Sequence, residues 1–273
     1  MPLPDWAPDD IDPEIPSSAR VYDYILGGVH HLDSDRRLAQ QITALAPDVP
    51  RSGRANRAFL RRAVTHLVTE AGITQFLDLG SGIPTVGNVH EVVHTHNPDA
   101  HVVYVDIDPV AIAMSRRMLA DTPAATAVRG DFSAIDAVLA DPEVTALIDF
   151  DRPVAVLAVA LLHFMPDAVH PADTLARLRA AMAPGSYLVL SHAGNEGPPE
   201  QMSATLELYR RTPTPMVLRS RAEIAALLDG FDLVDPGLVY LSQWRPDPGD
   251  VVEVRAFDGY AGIGHLPAAS TPQ

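Results

Sequence analysis

Cysteine and lysine are both absent from the 273 residues. Without cysteine there is no disulfide framework, zinc ribbon or thiolate nucleophile, so the chain must hold itself by packing, and the absence fits a reducing compartment. Without lysine, all 20 basic side chains are arginines, set against 35 acidic ones for a formal charge of -15. Such a field repels duplexes and anionic lipid, so neither nucleic acid nor a membrane is an expected partner. No uncharged apolar run reaches transmembrane length. The opening MPLPDWAPDDIDPEIP lacks the basic-then-apolar order of a signal peptide. The cytoplasm is the expected compartment.

What is present is a 47% hydrophobic composition, enough to fill the core of one α/β domain with an appendage, or of two small domains. Residues 1–16 read as an acidic, Pro-rich, loosely packed arm. From 17 to 72 apolar residues recur at helical spacing in about three segments, broken at Gly27-Gly28 and around Pro47 to Pro50. This extension is expected to act as a lid. Within it Arg51, Arg54, Arg57, Arg61 and Arg62 interleave with apolar residues, which predicts an amphipathic helix with a solvated arginine face, an anion site being the alternative. Residues 73–273 alternate short apolar runs with helical patterns, the sign of βαβ units. Strands are expected at 75–79, 102–106, 125–130, 153–160 and 186–192, with a capping-box helix opening at Ser220. Extended segments at 231–235 and 238–244 should complete the sheet, and 251–257 is a further candidate. The fold class is thus α/β, a Rossmann-like, doubly wound, mostly parallel seven-stranded sheet with an N-terminal helical extension.

The strongest local signal is QFLDLGSGIPT at 75–85, a strand ending in Asp78, then Gly80 and Gly82 before a helix. The glycines permit a sharp turn and close approach to a ligand. A dinucleotide loop would carry a third glycine where Thr85 stands. An acid two residues before the first glycine also suits a cationic ligand such as S-adenosylmethionine (SAM), with its ammonium and sulfonium, and would repel pyrophosphate. A nicotinamide-dependent oxidoreductase is disfavoured accordingly. VVYVDIDP then puts Asp106 at the end of the next strand, where an acid can accept ribose hydroxyls. Asp108, before Pro109, is the better helix cap. RGDFSAI places Asp131 and Phe132 beyond the third strand, where a carboxylate and an aromatic ring can flank a base. Three acids therefore end three successive strands on one edge of the sheet.

In order, DLGSG, YVDIDP and GDF resemble the adenosyl-binding motifs of class I SAM-dependent methyltransferases. With SARVYDYILGG, RANRAFLRRAV, NVHEV, LLHFMPD and APGSYLVLSH added, the chain after residue 16 is similar to a bacterial family of uncharacterised SAM-dependent methyltransferases known as a domain of unknown function. The resemblance implies SAM as cofactor, the Rossmann-like fold and methyl transfer; it does not identify the acceptor, which is expected to be a small molecule. It implies cofactor contacts at Asp78, Gly80, Ser81, Gly82, Asp106, Ile107, Asp131 and Phe132, with the backbone of Ala158, Val159 and Ala160 closing the pocket beside the methionine part, Tyr22 and Gly28 contributed by the lid, and weaker parts for Asn56 and Arg57.

Two other readings compete. HEVVH at 90–94 matches the HExxH pattern of zinc peptidases, but Asn97 and Ala100 stand where a metzincin has glycine and histidine, and no glutamate lies between Glu91 and Glu143 to complete the set. No metal is expected. A non-catalytic SAM-binding protein is the second rival, since transfer from an activated sulfonium demands orientation more than a diagnostic nucleophile. His163 in LLHFMPDA, just after the fourth strand, is the candidate catalytic base, with an imidazole suited to neutral pH; a helix cap or pocket-lining histidine is the plainer alternative.

Overall fold

The computed structural model describes residues 4, 6–8, 11–85, 87–250, 252 and 258–268. Three helices precede the sheet: α1 (Ser18–Ile25), α2 (Asp33–Leu45) and α3 (Val49–Thr69). Their breaks fall at the expected places. Gly27, at φ 84, ends α1, and Pro50 sits in the first turn of α3, where a missing N–H costs nothing.

Five parallel strands follow: β1 (Gln75–Leu79), β2 (His101–Asp106), β3 (Ala125–Arg129), β4 (Ala155–Val159) and β5 (Tyr187–His192), in the spatial order β3-β2-β1-β4-β5. Alternate side chains enter two separate cores. Leu77, Val103, Val156 and Leu188 pack with α8 (Pro171–Ala181) and α10 (Arg221–Ala226); Phe76, Val102, Leu157 and Val189 pack with α3 and α4 (Val89–His96). Covered on both faces, these strands read as unbroken apolar runs rather than as alternating patterns. The chain order reverses between β1 and β4, which opens a crevice outside their carboxyl ends. α5 (Pro109–Met118), which follows β2, borders it through Pro109, and α9 (Pro199–Tyr209), after β5, through Thr205 and Tyr209; the short α6 (Ile135–Leu139) and α7 (Pro142–Thr145) follow β3.

The far edge departs from expectation. The long closing strand is β8 (Tyr260–His265), antiparallel between β5 and β6 (Asp232–Leu233), which gives a path of seven strands; β7 (Val239–Tyr240) pairs with β8 off that path. The segments 231–235 and 238–244 thus contribute two residues each. Residues 241–243 form a 3-10 turn that carries Trp244 into full burial, edge-on to Phe59 of α3 at 5.5 Å between centroids. Apart from Val252, the candidate strand at 251–257 lies outside the described residues.

The arginine face of α3 is also not simply solvated. Arg62 is buried, and its guanidinium donates to the carbonyls of Trp244 and Leu241, both at 2.9 Å. Arg51 pairs with Asp258 and Arg61 with Asp247, while Arg54 is exposed. The helix clamps the C-terminal segment through these contacts. Similarly, Trp6 and Ile11 of the arm pack against Ile83, Val110, Ala111 and Met114. Among the described residues no helix is long and apolar enough to cross a membrane.

Candidate functional site

A cavity of about 680 Å³ opens at the carboxyl ends of β1 to β4 and is roofed by α1 and α3. Its floor is the turn after β1. Gly80 and Gly82 adopt φ of 66 and 67, left-handed values open to glycine at little cost. The N–H groups of Gly80 and Ser81 both donate to the Val105 carbonyl, at 2.8 and 3.1 Å, which folds the turn back onto β2. A Cβ on Gly80 would stand 2.6 Å from Leu161 Cδ1. Gly80→Ala therefore combines an unfavourable φ with a clash, and should cost about 1–3 kcal/mol in urea denaturation; an unchanged midpoint would show that the turn relaxes freely.

Asp106 holds this turn from the side. Its Oδ2 accepts from Gly82 N at 2.7 Å and its Oδ1 from Asp108 N at 2.8 Å. Each carboxylate oxygen retains a lone pair for a ligand. Burial pushes its pKa up to about 6, against those two backbone bonds. Asp108 caps α5 through Val110 N and Ala111 N, as its place before Pro109 predicts. Asp78 is buried, its carboxylate makes no hydrogen bond among the described residues, and burial pushes its pKa up to about 7; Arg57 opposes the shift and Asp106 adds to it. Beside it the Ser81 hydroxyl is buried without a partner among the described residues. An ionisable carboxylate and an unsatisfied hydroxyl at a glycine turn are what an ammonium-bearing, hydroxyl-rich nucleoside requires. At the third strand end Asp131 caps the 3-10 turn 132–134 through Ser133 N, and Phe132 is buried beside it.

Of the residues expected from sequence, Tyr22, Asp78, Gly80, Ser81, Gly82, Asp106, Ile107, Asp131, Phe132, Val159 and His163 all line this cavity, as do Asn56 and Arg57. Two do not. The Ala158 side chain is wholly buried in the sheet core, while the next two residues, Val159 and Ala160, line the cavity. Gly28 donates its N–H to the Asp23 carbonyl, and a Cβ there would lie 2.0 Å from Asp23 Oδ1, so its role is to close a loop. His30 and His31 bond the same Asp23 carboxylate.

Ser191, Thr205 and Tyr209 also line the cavity and left no local signal in the sequence. Tyr22 donates to the Gly53 carbonyl and accepts from Asn56 Nδ2, while Asn56 Oδ1 accepts from Ser191 Oγ at 2.6 Å. This chain of bonds ties α1 and α3 to the end of β5. Thr205 and Tyr209 of α9 reach the cavity from more than a hundred residues downstream of the glycine turn. Only the fold brings them there.

The HEVVH residues each have structural work. His90 Nδ1 lies 2.7 Å from the Tyr104 hydroxyl, His94 Nε2 donates to the Ala100 carbonyl at 2.9 Å, and Glu91 accepts from the N–H groups of Gly87 and Asn88 at the start of α4.

Residues 4–267 match the protein family described as S-adenosyl methyltransferase. A candidate methyltransferase from Thermobifida fusca YX has a similar structure, with a TM-score of 0.91 and 39% identity over 97% of this chain and 100% of that one. A DUF574 family protein from Streptomyces avermitilis MA-4680 gives 0.89 and 36% over 94% of this chain and 99% of that one. The trans-methyltransferase CalH, solved as a complex with SAH, shares the fold at 18% identity and a TM-score of 0.50, over 90% of this chain and 66% of that one. No curated protein matches the sequence.

Proposed function

Because the chain belongs to the S-adenosyl methyltransferase family, whose cofactor is SAM, we propose that it is an active enzyme that methylates a small molecule inside this cavity. The observation that carries the reading is the convergence of the Gly80–Gly82 turn, Asp78, Asp106 and the unpartnered Ser81 hydroxyl on one crevice at the reversal of strand order. SAM, when bound, supplies a methyl group already activated by its sulfonium sulfur.

The protein's own residues then have to bind and orient. Asp106 offers a carboxylate to paired hydroxyls, Asp78 a carboxylate to an ammonium, and Phe132 with Asp131 an apolar edge and an acceptor for an adenine. The helical segment 17–72 is proposed as a lid over this site, since Ser17, Tyr22, Gly53 and Asn56 all line the cavity. Enclosure excludes water and holds the reacting groups in register, which is most of what this transfer needs.

Calorimetry with S-adenosylhomocysteine tests the cofactor assignment. Asp106→Ala removes a charged acceptor, and hydrogen bonds to charged groups contribute about 1.5–3 kcal/mol, so affinity should fall about tenfold or more. Wild-type affinity in a folded variant would remove Asp106 from the site. Binding without turnover on any acceptor would favour the non-catalytic reading.

A further inference from the structure

The cavity has two chemically different halves. Its charged side chains stand at the ends of β1, β2 and β3 or, like Arg20 and Arg57, face the carboxylates there; Asp12 is exposed on the arm. Beyond Val159 the lining is uncharged. Ile25, Ile42, Val49, Phe164, Tyr209 and Met216 supply it. They belong to a third apolar cluster that α1, α2 and α9 build away from the two sheet cores. A ligand carrying a net charge would lose its hydration here and gain no counter-ion.

Three polar groups on this wall lack partners among the described residues. Thr205 Oγ1 is buried without a hydrogen bond, the Tyr209 hydroxyl lies one helical turn further along α9, and the third is His163 Nε2. The neighbouring polar groups are already satisfied, as the Tyr22, Asn56 and Ser191 chain and the Ser18 to Thr214 contact show. The state of His163 follows from its surroundings. Ala193 N–H points at His163 Nδ1 over a long 3.4 Å, so Nδ1 accepts and the proton sits on Nε2. The carbonyl of the same residue accepts from His192 Nδ1 at 2.8 Å, and His192 Nε2 accepts from Arg219 at 2.8 Å. Arg219 is buried and also bonds Asp167. Burial, then His192 and Arg219, keeps the pKa of His163 well below its ordinary range. Burial likewise raises the pKa of the Tyr209 hydroxyl. At neutral pH this half of the cavity therefore presents one donor, Nε2–H, and two hydroxyls able to donate or accept.

We propose that this half is the acceptor site and that it takes an uncharged aromatic hydroxy compound, whose ring lies among Phe164, Tyr209 and Met216 and whose oxygen accepts from His163 Nε2–H. The assignment rests on the methyltransferase reading above. A hydroxyl matches the set because it can accept from His163 while donating to, or accepting from, Tyr209 or Thr205. The aromatic walls, with His163 to Phe164 at 4.5 Å and Phe164 to Tyr209 at 5.6 Å between ring centroids, suit a flat ring. In this arrangement His163 recognises and orients the acceptor as a donor and does not serve as its base. As the C–O bond forms and the sulfonium C–S bond breaks, the hydroxyl proton leaves along its hydrogen bond through the Tyr209 or Thr205 hydroxyl to water.

The probes are 2-naphthol, 2-naphthoate and 2-naphthylmethylamine, which share a ring and differ in charge. Each is titrated into the full chain with and without S-adenosylhomocysteine, and followed by the methyl signals of 13C-labelled methionine and the imidazole signals of 15N-labelled histidine. The naphthol should shift the Met216 methyl and bind roughly tenfold or more tightly than either charged analogue. His163 should show the Nε2–H tautomer throughout pH 6–8. Thr205→Val and Tyr209→Phe should each weaken the naphthol roughly 2- to 10-fold, the range of one neutral hydrogen bond. Equal or tighter binding of a charged analogue, a naphthol that leaves Met216 unmoved up to its solubility limit, or a His163 protonated on Nδ1 overturns the proposal. Failure of S-adenosylhomocysteine to bind in the same samples instead overturns the cofactor assignment, so the two failures are distinct.

Discussion

Arg20→Met should lower the free energy of unfolding by about 3–5 kcal/mol, the cost of leaving one partner of a buried ion pair alone. Arg20 is 4% exposed and Asp35 0%. The guanidinium donates from Nε to Asp35 Oδ2 at 2.7 Å and from a terminal nitrogen to the Ile15 carbonyl at 2.7 Å, and lies 3.6 Å from Asp108 Oδ2. Asp35 also accepts from Ser17 N and Leu32 N, both at 2.8 Å. Without the arginine those two N–H groups must support a fully buried charge. The Ser17 hydroxyl donates to Asp108, so the same knot joins α1 to the cap of α5, two residues from Asp106. Adding Asp35→Leu removes the orphaned charge and should recover a good part of the loss. Chemical denaturation measures both, and a loss under about 1 kcal/mol for the single change would show that water still reaches Asp35.

How much of this was legible beforehand divides by the kind of signal. β1 to β5 announced themselves because strands covered on both faces carry apolar residues at every position, and VAVLAVALL has few other uses. β8 did not. Its sequence YAGIGH puts alanine and isoleucine on one face and two glycines on the other. Gly264 is required because a Cβ there would stand 2.6 Å from Phe231 Cβ, and Gly262 lies against Leu238. Glycine inside a strand looks like a breaker until the packed neighbour is seen. The arginines of α3 misled for a related reason. Helical spacing marks a polar face, but it does not say that the C-terminal chain will lay its carbonyls across that face, as it does at Arg62.

The half of the cavity proposed to hold the cofactor had a lining that was readable in sequence because it is built from turns that directly follow strands, so sequence order is spatial order. Asp78, Gly80, Asp106 and Asp131 needed only the assumption of a parallel sheet. The other half is assembled from α1, α2, α9 and the segment 213–218, pieces that meet only in the tertiary structure. Thr205 and Tyr209 read in isolation as one polar and one aromatic position on a helix. At the end of β4 the side chains part, Ala158 entering the sheet core and Val159 lining the cavity. One residue of register decides whether a side chain reaches the crevice or the core, and here Val159 holds the crevice.

Asp78→Asn should stabilise the ligand-free protein at pH 8 while it weakens cofactor binding. Folded Asp78 holds its proton to about pH 7, against an ordinary 3.8. A group that binds its proton more tightly when folded contributes stability that is complete below about pH 4 and is lost as pH rises to about 7. At roughly 1.4 kcal/mol per unit, the loss is on the order of 4 kcal/mol. Asp106, raised to about 6, acts in the same direction over a narrower window. Asparagine has no such proton to lose, so the variant's stability should be flatter from pH 5 to 8 and exceed that of the wild type at pH 8 by about 2–4 kcal/mol. Binding follows the opposite sign. The ammonium of S-adenosylhomocysteine favours ionised Asp78, so wild-type affinity should rise from pH 5.5 to 8 as the competing proton leaves. The variant should bind about tenfold or more weakly at pH 8, with most of that pH dependence gone. Denaturation curves at pH 5 and 8 and calorimetry across the same range read both effects. Equal wild-type stability at the two pH values would show that Asp78 is not held in its protonated form. Unaltered affinity in the variant would separate it from the ligand's ammonium, and leave the buried carboxylate as a cost to folding that binding does not offset.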